Sequence, residues 1–314
     1  MKKVIQIGSV HPLNLLGTND CNLKILEEHF PGKIVVRGTE MILEGKKADI
    51  NRIESAMDDM IITVNNKGYV DEDDVKSLLN FSDADVSPVV VNGEEMPVVL
   101  HTHKGTVVAR TPGQKKYHKA VKTNDIVFAI GPAGTGKTYQ AVASAVAAMK
   151  EGSVSRIVIT RPAVEAGERL GFLPGDMKEK VDPYLTPLND ALAEMLPPDK
   201  LKVYREQRII EIAPLAYMRG RTLHNSFMIL DEAQNATPIQ MKMFLTRLGV
   251  TSRAIVTGDI TQIDLPEKET SGLIDARRKL KSVKGITFVE FDSGDVVRHK
   301  LVKDIITAYA KKEK

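Results

Sequence analysis

Apolar residues in this chain follow two rhythms, and the balance between them shifts partway along. Ile50, Ile53, Met57, Ile61 and Ile62 recur every three or four positions, which predicts an amphipathic helix. Before it, Lys33-Ile-Val-Val-Arg37 and Met41-Ile-Leu-Glu44 are short apolar runs on either side of Gly38-Thr39, the pattern of a hairpin. Leu23, Ile25, Leu26 and Phe30 predict a short helix that stops at Pro31-Gly32. Met1 to Ile7 reads as a strand, because Gln6, His11 and Asn14 interrupt the apolar run a leader needs. Residues 1–65 are thus expected to form a small α/β unit.

Residues 66–105 read as a connecting region with a short helix around Val75–Leu79. The acidic run Asp71-Glu-Asp-Asp74 is expected to be a solvated helix start. His101 and His103 have no Cys or third His nearby, so an exposed strand is expected there and not a metal site. From 106 to 314 the pattern alternates, with apolar runs at 125–130, 156–160, 209–213, 227–231, 254–257 and 286–290 separated by helical stretches. That alternation predicts an α/β fold with a parallel sheet and helices on both faces.

Bulk properties narrow this only a little. A chain of 314 residues, 42% apolar and 27% charged, has room for about two domains. The single cysteine, Cys21, excludes an internal disulfide and fits a reducing cytosol, hence a cytoplasmic expectation. No run reaches the ~18 apolar residues of a membrane helix. The net charge of +3 permits nucleic-acid binding without arguing for it.

The chemistry sits at the ends of the expected strands. Gly131-Pro132-Ala133-Gly134-Thr135-Gly136-Lys137-Thr138 follows the apolar run 125–130 and precedes the Ala-rich stretch beginning at Tyr139. This is a complete phosphate-binding loop in its required context. Its glycines let successive N–H groups face a phosphate, and the helix that follows adds its positive end. Lys137 would reach the β/γ-phosphates of ATP, and Thr138 would hold Mg²⁺. Phe227-Met-Ile-Leu230 runs into Asp231-Glu232-Ala-Gln234. There Asp231 is expected in the Mg²⁺ shell, and Glu232 as the base that polarises water. Gly258-Asp259-Ile-Thr-Gln262 closes the next strand and is expected to sense the γ-phosphate through Asp259 and Gln262. Gln114 in Thr111-Pro-Gly-Gln114 has the amide needed to read an adenine edge, although an exposed helix-start Gln fits as well.

The order of these parts is that of a RecA-type or helicase-type core, and the chain has one such core. Efficient hydrolysis would then need an arginine from a neighbouring subunit. Arg298 is the preferred donor, followed by Arg253 and Arg247. Shared sites lead to a closed homo-oligomeric ring, with a hexamer favoured.

Together these residues resemble the PhoH family over about residues 10–310. The resemblance rests on Gly131–Tyr139, on Thr160-Arg-Pro-Ala-Val-Glu-Ala-Gly-Glu168 with Leu170-Gly-Phe-Leu-Pro-Gly175, and on Val181-Asp-Pro-Tyr-Leu185. It continues in Ala213–Thr222, Leu230-Asp-Glu-Ala-Gln-Asn235 and Thr257–Pro266. It implies a P-loop NTPase with a helicase superfamily 1-like core, linked to RNA metabolism and associated with a UPF0054-type endoribonuclease partner. It also implies a KH-like N-terminal domain. A KH clamp needs Gly-x-x-Gly, and Gly17-Thr-Asn-Asp20 supplies one glycine. Single-stranded RNA is expected beside Arg161, Arg169, Arg219 and Arg221, with Tyr184 and Tyr217 to stack on. Two other readings stay open: a nucleotide-gated protein-binding module and, less favoured, a small-molecule kinase.

Overall fold

The computed structural model describes residues 1–297 apart from 9, 73, 76–77, 80–88, 92–93, 163–176 and 267. Among the described residues the chain forms two compact units.

The first takes in residues 1–87, 101–105 and 193–204. Its opening elements are β1 (Lys2–Gln6), α1 (Pro12–Leu16), α2 (Cys21–Glu28), β2 (Lys33–Arg37), β3 (Glu40–Glu44) and α3 (Lys47–Lys67). The three strands form an antiparallel sheet in the order β1-β3-β2. Strand alternation turns Met41 and Leu43 inward, both with no exposure. Against them α3 presents Ile50, Ile53, Met57, Met60 and Val64, each at most 6% exposed. Each such side chain contributes about 1.5–3 kcal/mol of burial. The buried face thus continues through Met60 and Val64, while Ile61 packs only in part.

Between α1 and α2 lies the Gly17–Asp20 turn, where Asn19 and Asp20 both adopt left-handed backbone (φ 56° and 57°). Asn and Asp tolerate that region better than other side chains. Asn22, fully buried, donates to the carbonyls of Leu15 (3.0 Å) and Val70 (2.9 Å) and fixes the turn from behind. Val75 and Leu79 belong to the same core; the rest of the short helix expected around them lies largely outside the described residues.

Short ribbons follow, β4 (Val89–Val91) with β5 (Glu94–Met96) and β6 (Val98–Thr102) with β7 (Gly105–Val108). His101 is half-buried in β6, and His103 is exposed in the turn after it. No group of three metal-ligating side chains occurs among the described residues.

The second unit covers residues 88–100, 106–192 and 205–314. From 112 onward the elements in chain order are α4 (Pro112–Thr123), β8 (Ile126–Ile130), α5 (Lys137–Lys150), β9 (Arg156–Arg161), α6 (Met177–Met195), α7 (Pro198–Glu206), β10 (Ile210–Pro214), β11 (Ser226–Leu230), α8 (Pro238–Leu245), β12 (Arg253–Gly258), α9 (Gly272–Leu280) and β13 (Ile286–Glu290). α6 and α7 carry residues of both units.

Six strands form one all-parallel sheet in the order β10-β9-β11-β12-β8-β13. Every residue of β8 and of β11 is buried, which is why Ile126–Ile130 and Phe227–Leu230 read as unbroken apolar runs. The register aligns the strand ends: Leu230 stands opposite Thr160 and Val256, and Ile130 opposite Gly258. The loops after β8, β9, β11 and β12 therefore leave the sheet at one edge. Helix α5 packs with Ala141, Val142, Ala143, Ala145 and Val146 fully buried, small side chains that let its backbone lie close to its neighbours. No helix among the described residues is long and apolar enough to cross a membrane.

Candidate nucleotide-binding site

The loop between β8 and α5 curls through three glycines at positive φ: Gly131 (154°), Gly134 (82°) and Gly136 (81°). A side chain at Gly131 is barred twice, by its backbone and because a Cβ would stand 2.5 Å from the Phe291 carbonyl oxygen. Lys137 folds back into this loop. Its Nζ donates to the carbonyls of Gly131 and Pro132, both at 2.7 Å, and lies 3.3 Å from Thr135 Oγ1. Thr135 Oγ1 itself donates to Pro132 O at 3.1 Å. Ala133 within the loop and Tyr139 just after it are half-buried.

The loop's crest is held from outside. Gln114 Nε2 donates to Thr135 O at 2.9 Å, while Gln114 Oε1 accepts from the N–H groups of Arg110 (2.8 Å) and Thr111 (3.4 Å). Thr111 and Gln114 form a reciprocal capping box at the start of α4. In this conformation the Gln114 amide braces the phosphate loop, its acceptor spent on backbone donors, so the acceptor that would read an adenine amino group is already occupied. Val297 N–H donates to Gly134 O at 2.9 Å, a second brace. Asp295 Oδ1 accepts from Gly113 N–H at 2.9 Å and so seats α4 beside the loop.

The acidic partner meets the loop where the sheet order requires it. Thr138 Oγ1 donates to Asp231 Oδ1 at 2.7 Å, and Thr257 Oγ1 donates to the same oxygen at 2.6 Å. Asp231 is 4% exposed, and this set of oxygens suits a hard cation such as Mg²⁺. Glu232 takes a left-handed backbone (φ 51°, ψ 40°), a conformation costing a non-glycine residue about 1–3 kcal/mol. Its Oε1 lies 3.4 Å from Arg161 Nη2, and its Oε2 accepts from Gln234 Nε2 at 2.6 Å.

Asp259 is buried, with Oδ1 accepting from the Thr261 N–H (2.9 Å) and hydroxyl (2.7 Å). Gln262 stands exposed on the turn, its N–H bonded to Asp259 O at 3.1 Å. Of the other expected residues, Arg298, Arg169 and the side chain of Tyr184 lie outside the described residues. Arg247 is occupied within its own chain, donating to Met243 O, Arg221 O and Thr246 Oγ1. Arg253 opens β12, about 16 Å along the strand from Gly258 at ~3.3 Å per residue. Arg221 is clamped by Glu211, its two Nη atoms each 2.7 Å from a carboxylate oxygen. That clamp, more than the opposing burial, holds the Glu211 carboxyl below its ordinary range. Arg219 and Tyr217 are exposed.

Three participants escape a reading by motif. Thr257 was concealed at the end of an apolar strand, although a lone hydroxyl before Gly-Asp is a signal. Arg161, at the end of β9 and expected beside RNA, stands 3.4 Å from Glu232. Gln234 lay in plain view three residues after Asp231.

A phosphate loop opening a helix, an acidic strand end beside it and a parallel sheet around both define an α/β P-loop NTPase. A family model described as "PhoH-like protein" matches residues 106–310. The chain belongs to the PhoH family. It is 47% identical over 299 residues to the PhoH-like protein of Bacillus subtilis (strain 168), covering 95% of this chain and 94% of that one. It is 46% identical over 206 residues to Protein PhoH of Escherichia coli (strain K12), covering 65% of this chain and 58% of that one. Among solved structures it is similar to the Pif1 helicase from Candida albicans, with a TM-score of 0.35 and 12% identity over 64% of this chain and 43% of that one.

Proposed function

We propose that this protein hydrolyses ATP with Mg²⁺ in a homo-oligomer and uses the energy to remodel RNA or an RNA–protein complex. The observation that carries the reading is the hydrogen bond from Thr138 to Asp231, with Lys137 folded into the same loop and Glu232 next in the chain to that carboxylate. Bound phosphates would replace the Gly131 and Pro132 carbonyls as partners of Lys137. Thr138 and Asp231 would hold the metal, which when bound neutralises charge on the β- and γ-oxygens. Glu232 would take the proton of the attacking water, and Asp259 with Gln262 would register loss of the γ-phosphate.

Residues 1–65 would serve as a KH-like domain, 66–105 as a connection and 106–314 as the ATPase core, in a cytoplasmic protein. The exposed Arg219 and Tyr217 suit a single strand of RNA held mainly by its backbone. Arg298 would complete a neighbour's site in a hexameric ring, and a UPF0054-type endoribonuclease is the proposed partner. A second reading, a nucleotide-gated module that captures this partner without unwinding RNA, draws support from Glu232 being engaged on both carboxylate oxygens.

One experiment separates the readings: phosphate release against protein concentration, with and without single-stranded RNA, with Arg298→Ala mixed into wild type. Remodelling by a shared site requires RNA stimulation, concentration-dependent rate per subunit and loss beyond dilution in the mixture. Low turnover indifferent to RNA, alongside ATP-dependent partner capture, would favour the gated module.

A further inference from the structure

Gln234 lies in the 3₁₀ turn Ala233–Asn235 and is 1% exposed, with its amide used at both ends. Its Nε2 donates to Glu232 Oε2 at 2.6 Å, and its Oε1 accepts from the Asp259 N–H at 3.0 Å. One side chain thus spans from the carboxylate after β11 to the turn after β12, and only one orientation of the amide satisfies both ends. Two features keep it there. Gly258 leaves room: a Cβ at that position would stand 2.9 Å from Gln234 Oε1 and 3.2 Å from Gln234 N. Next to it, Asn235 and Asp264 exchange two hydrogen bonds, Nδ2 to Oδ2 at 3.1 Å and Asp264 N–H to Oδ1 at 2.8 Å. The segment after β11 is therefore fastened to the 258–264 turn by two consecutive side chains. The same turn holds Asp259, whose Oδ2 is buried with no partner among the described residues.

We propose that Gln234 is the positioning residue for Glu232, and that it makes the aim of that carboxylate depend on where the Gly258–Gln262 turn sits. The proposal rests on the reading of Glu232 as the base. In the reaction the water oxygen bonds to the γ-phosphorus, its proton passes to Glu232, and the bond to the β–γ bridging oxygen breaks to release ADP and phosphate. Gln234 makes and breaks none of these bonds. Its hydrogen bond to Glu232 fixes one carboxylate oxygen and leaves the other to face water once Arg161 turns away. A shift of the Asp259 backbone pulls on the same amide, so the state of the turn reaches the base through a single side chain.

The test compares wild type with Glu232→Gln, Gln234→Leu, Gln234→Glu and the double variant Glu232→Gln/Gln234→Leu. Gln234→Leu removes both hydrogen bonds. Gln234→Glu keeps an acceptor for the Asp259 N–H but sets a carboxylate oxygen against Glu232. Phosphate release gives kcat and KM, binding of a non-hydrolysable ATP analogue gives affinity, and thermal melting checks the fold. The expectation for both Gln234 variants is a fall in kcat of about tenfold or more with analogue affinity nearly unchanged, and a double variant no slower than Glu232→Gln alone. A smaller fall in kcat, or a double variant slower than Glu232→Gln by the factor seen for Gln234→Leu alone, overturns the proposal. Should Gln234→Leu fail to fold, Gln234→Glu decides by the same threshold. Turnover in Glu232→Gln equal to wild type would instead remove Glu232 as the base. An inactive Glu232→Gln beside active Gln234 variants removes only the role given to Gln234.

Discussion

Replacing Asp295 by Asn tests how the phosphate loop is held without touching any group that would contact nucleotide. The Asp295 carboxylate accepts from the Gly113 N–H through Oδ1 (2.9 Å), from the Asp292 N–H through Oδ2 (3.2 Å), and from the Thr111 hydroxyl. Burial alone would raise its pKa, but these three hydrogen bonds outweigh burial and hold it below its ordinary value of 3.8. In Asp295→Asn one oxygen becomes an NH₂ that faces a backbone donor. One charge-assisted bond is lost and a buried N–H is left without an acceptor, together about 3 kcal/mol. For a unit of this size that corresponds to a Tm lower by about 6–12 °C. The pH dependence follows from the depressed pKa. The carboxylate's contribution is fully present above about pH 4, the unfolded value, and is lost as pH falls through the lower folded value. The gap in Tm between wild type and variant should therefore be widest near neutrality and close below pH 4. Differential scanning calorimetry from pH 3 to pH 7 measures both. Analogue binding should also weaken, because Gly113 is followed by Gln114, whose amide holds the Thr135 carbonyl. A Tm within about 2 °C of wild type at pH 7, or a gap that ignores pH, would refute the brace.

Further outcomes follow from the same contacts. Lys137→Ala should weaken binding of a non-hydrolysable ATP analogue by about tenfold or more while the melt stays near wild type, as calorimetric titration would read. Thr257→Val removes the 2.6 Å hydrogen bond to Asp231, and the Mg²⁺ concentration for half-maximal phosphate release should rise by roughly tenfold. Arg219→Ala should lower RNA affinity and reduce the salt slope by about one while leaving the melt unchanged. Arg221→Met should instead lower the melt, because it strands the Glu211 carboxylate.

The sheet was legible because strands buried on both faces must be apolar without interruption. Ile126–Ile130 and Phe227–Leu230 are such runs, each leading into residues of the candidate site. The phosphate loop was legible for a related reason: its glycines, lysine and threonine act on one another over eight consecutive positions. What sequence order conceals is lateral adjacency. Asp231 meets Thr257, and Glu232 meets Arg161, because β11 lies between β12 and β9 in the sheet, although β10 comes between β9 and β11 along the chain. Thr111-Pro-Gly-Gln114 fits the Ser/Thr-x-x-Glu/Gln capping pattern, and its amide is spent on that cap and on the loop.

The proposed role of Glu232 is to take the proton of the water that attacks ATP. Its most direct test is inorganic phosphate release at saturating Mg²⁺ and ATP by wild type and Glu232→Gln, with analogue affinity measured on the same preparations. With Glu232 as the base, wild type turns over and the variant loses about a hundredfold or more at unchanged affinity. Equal phosphate release by the two proteins would contradict it.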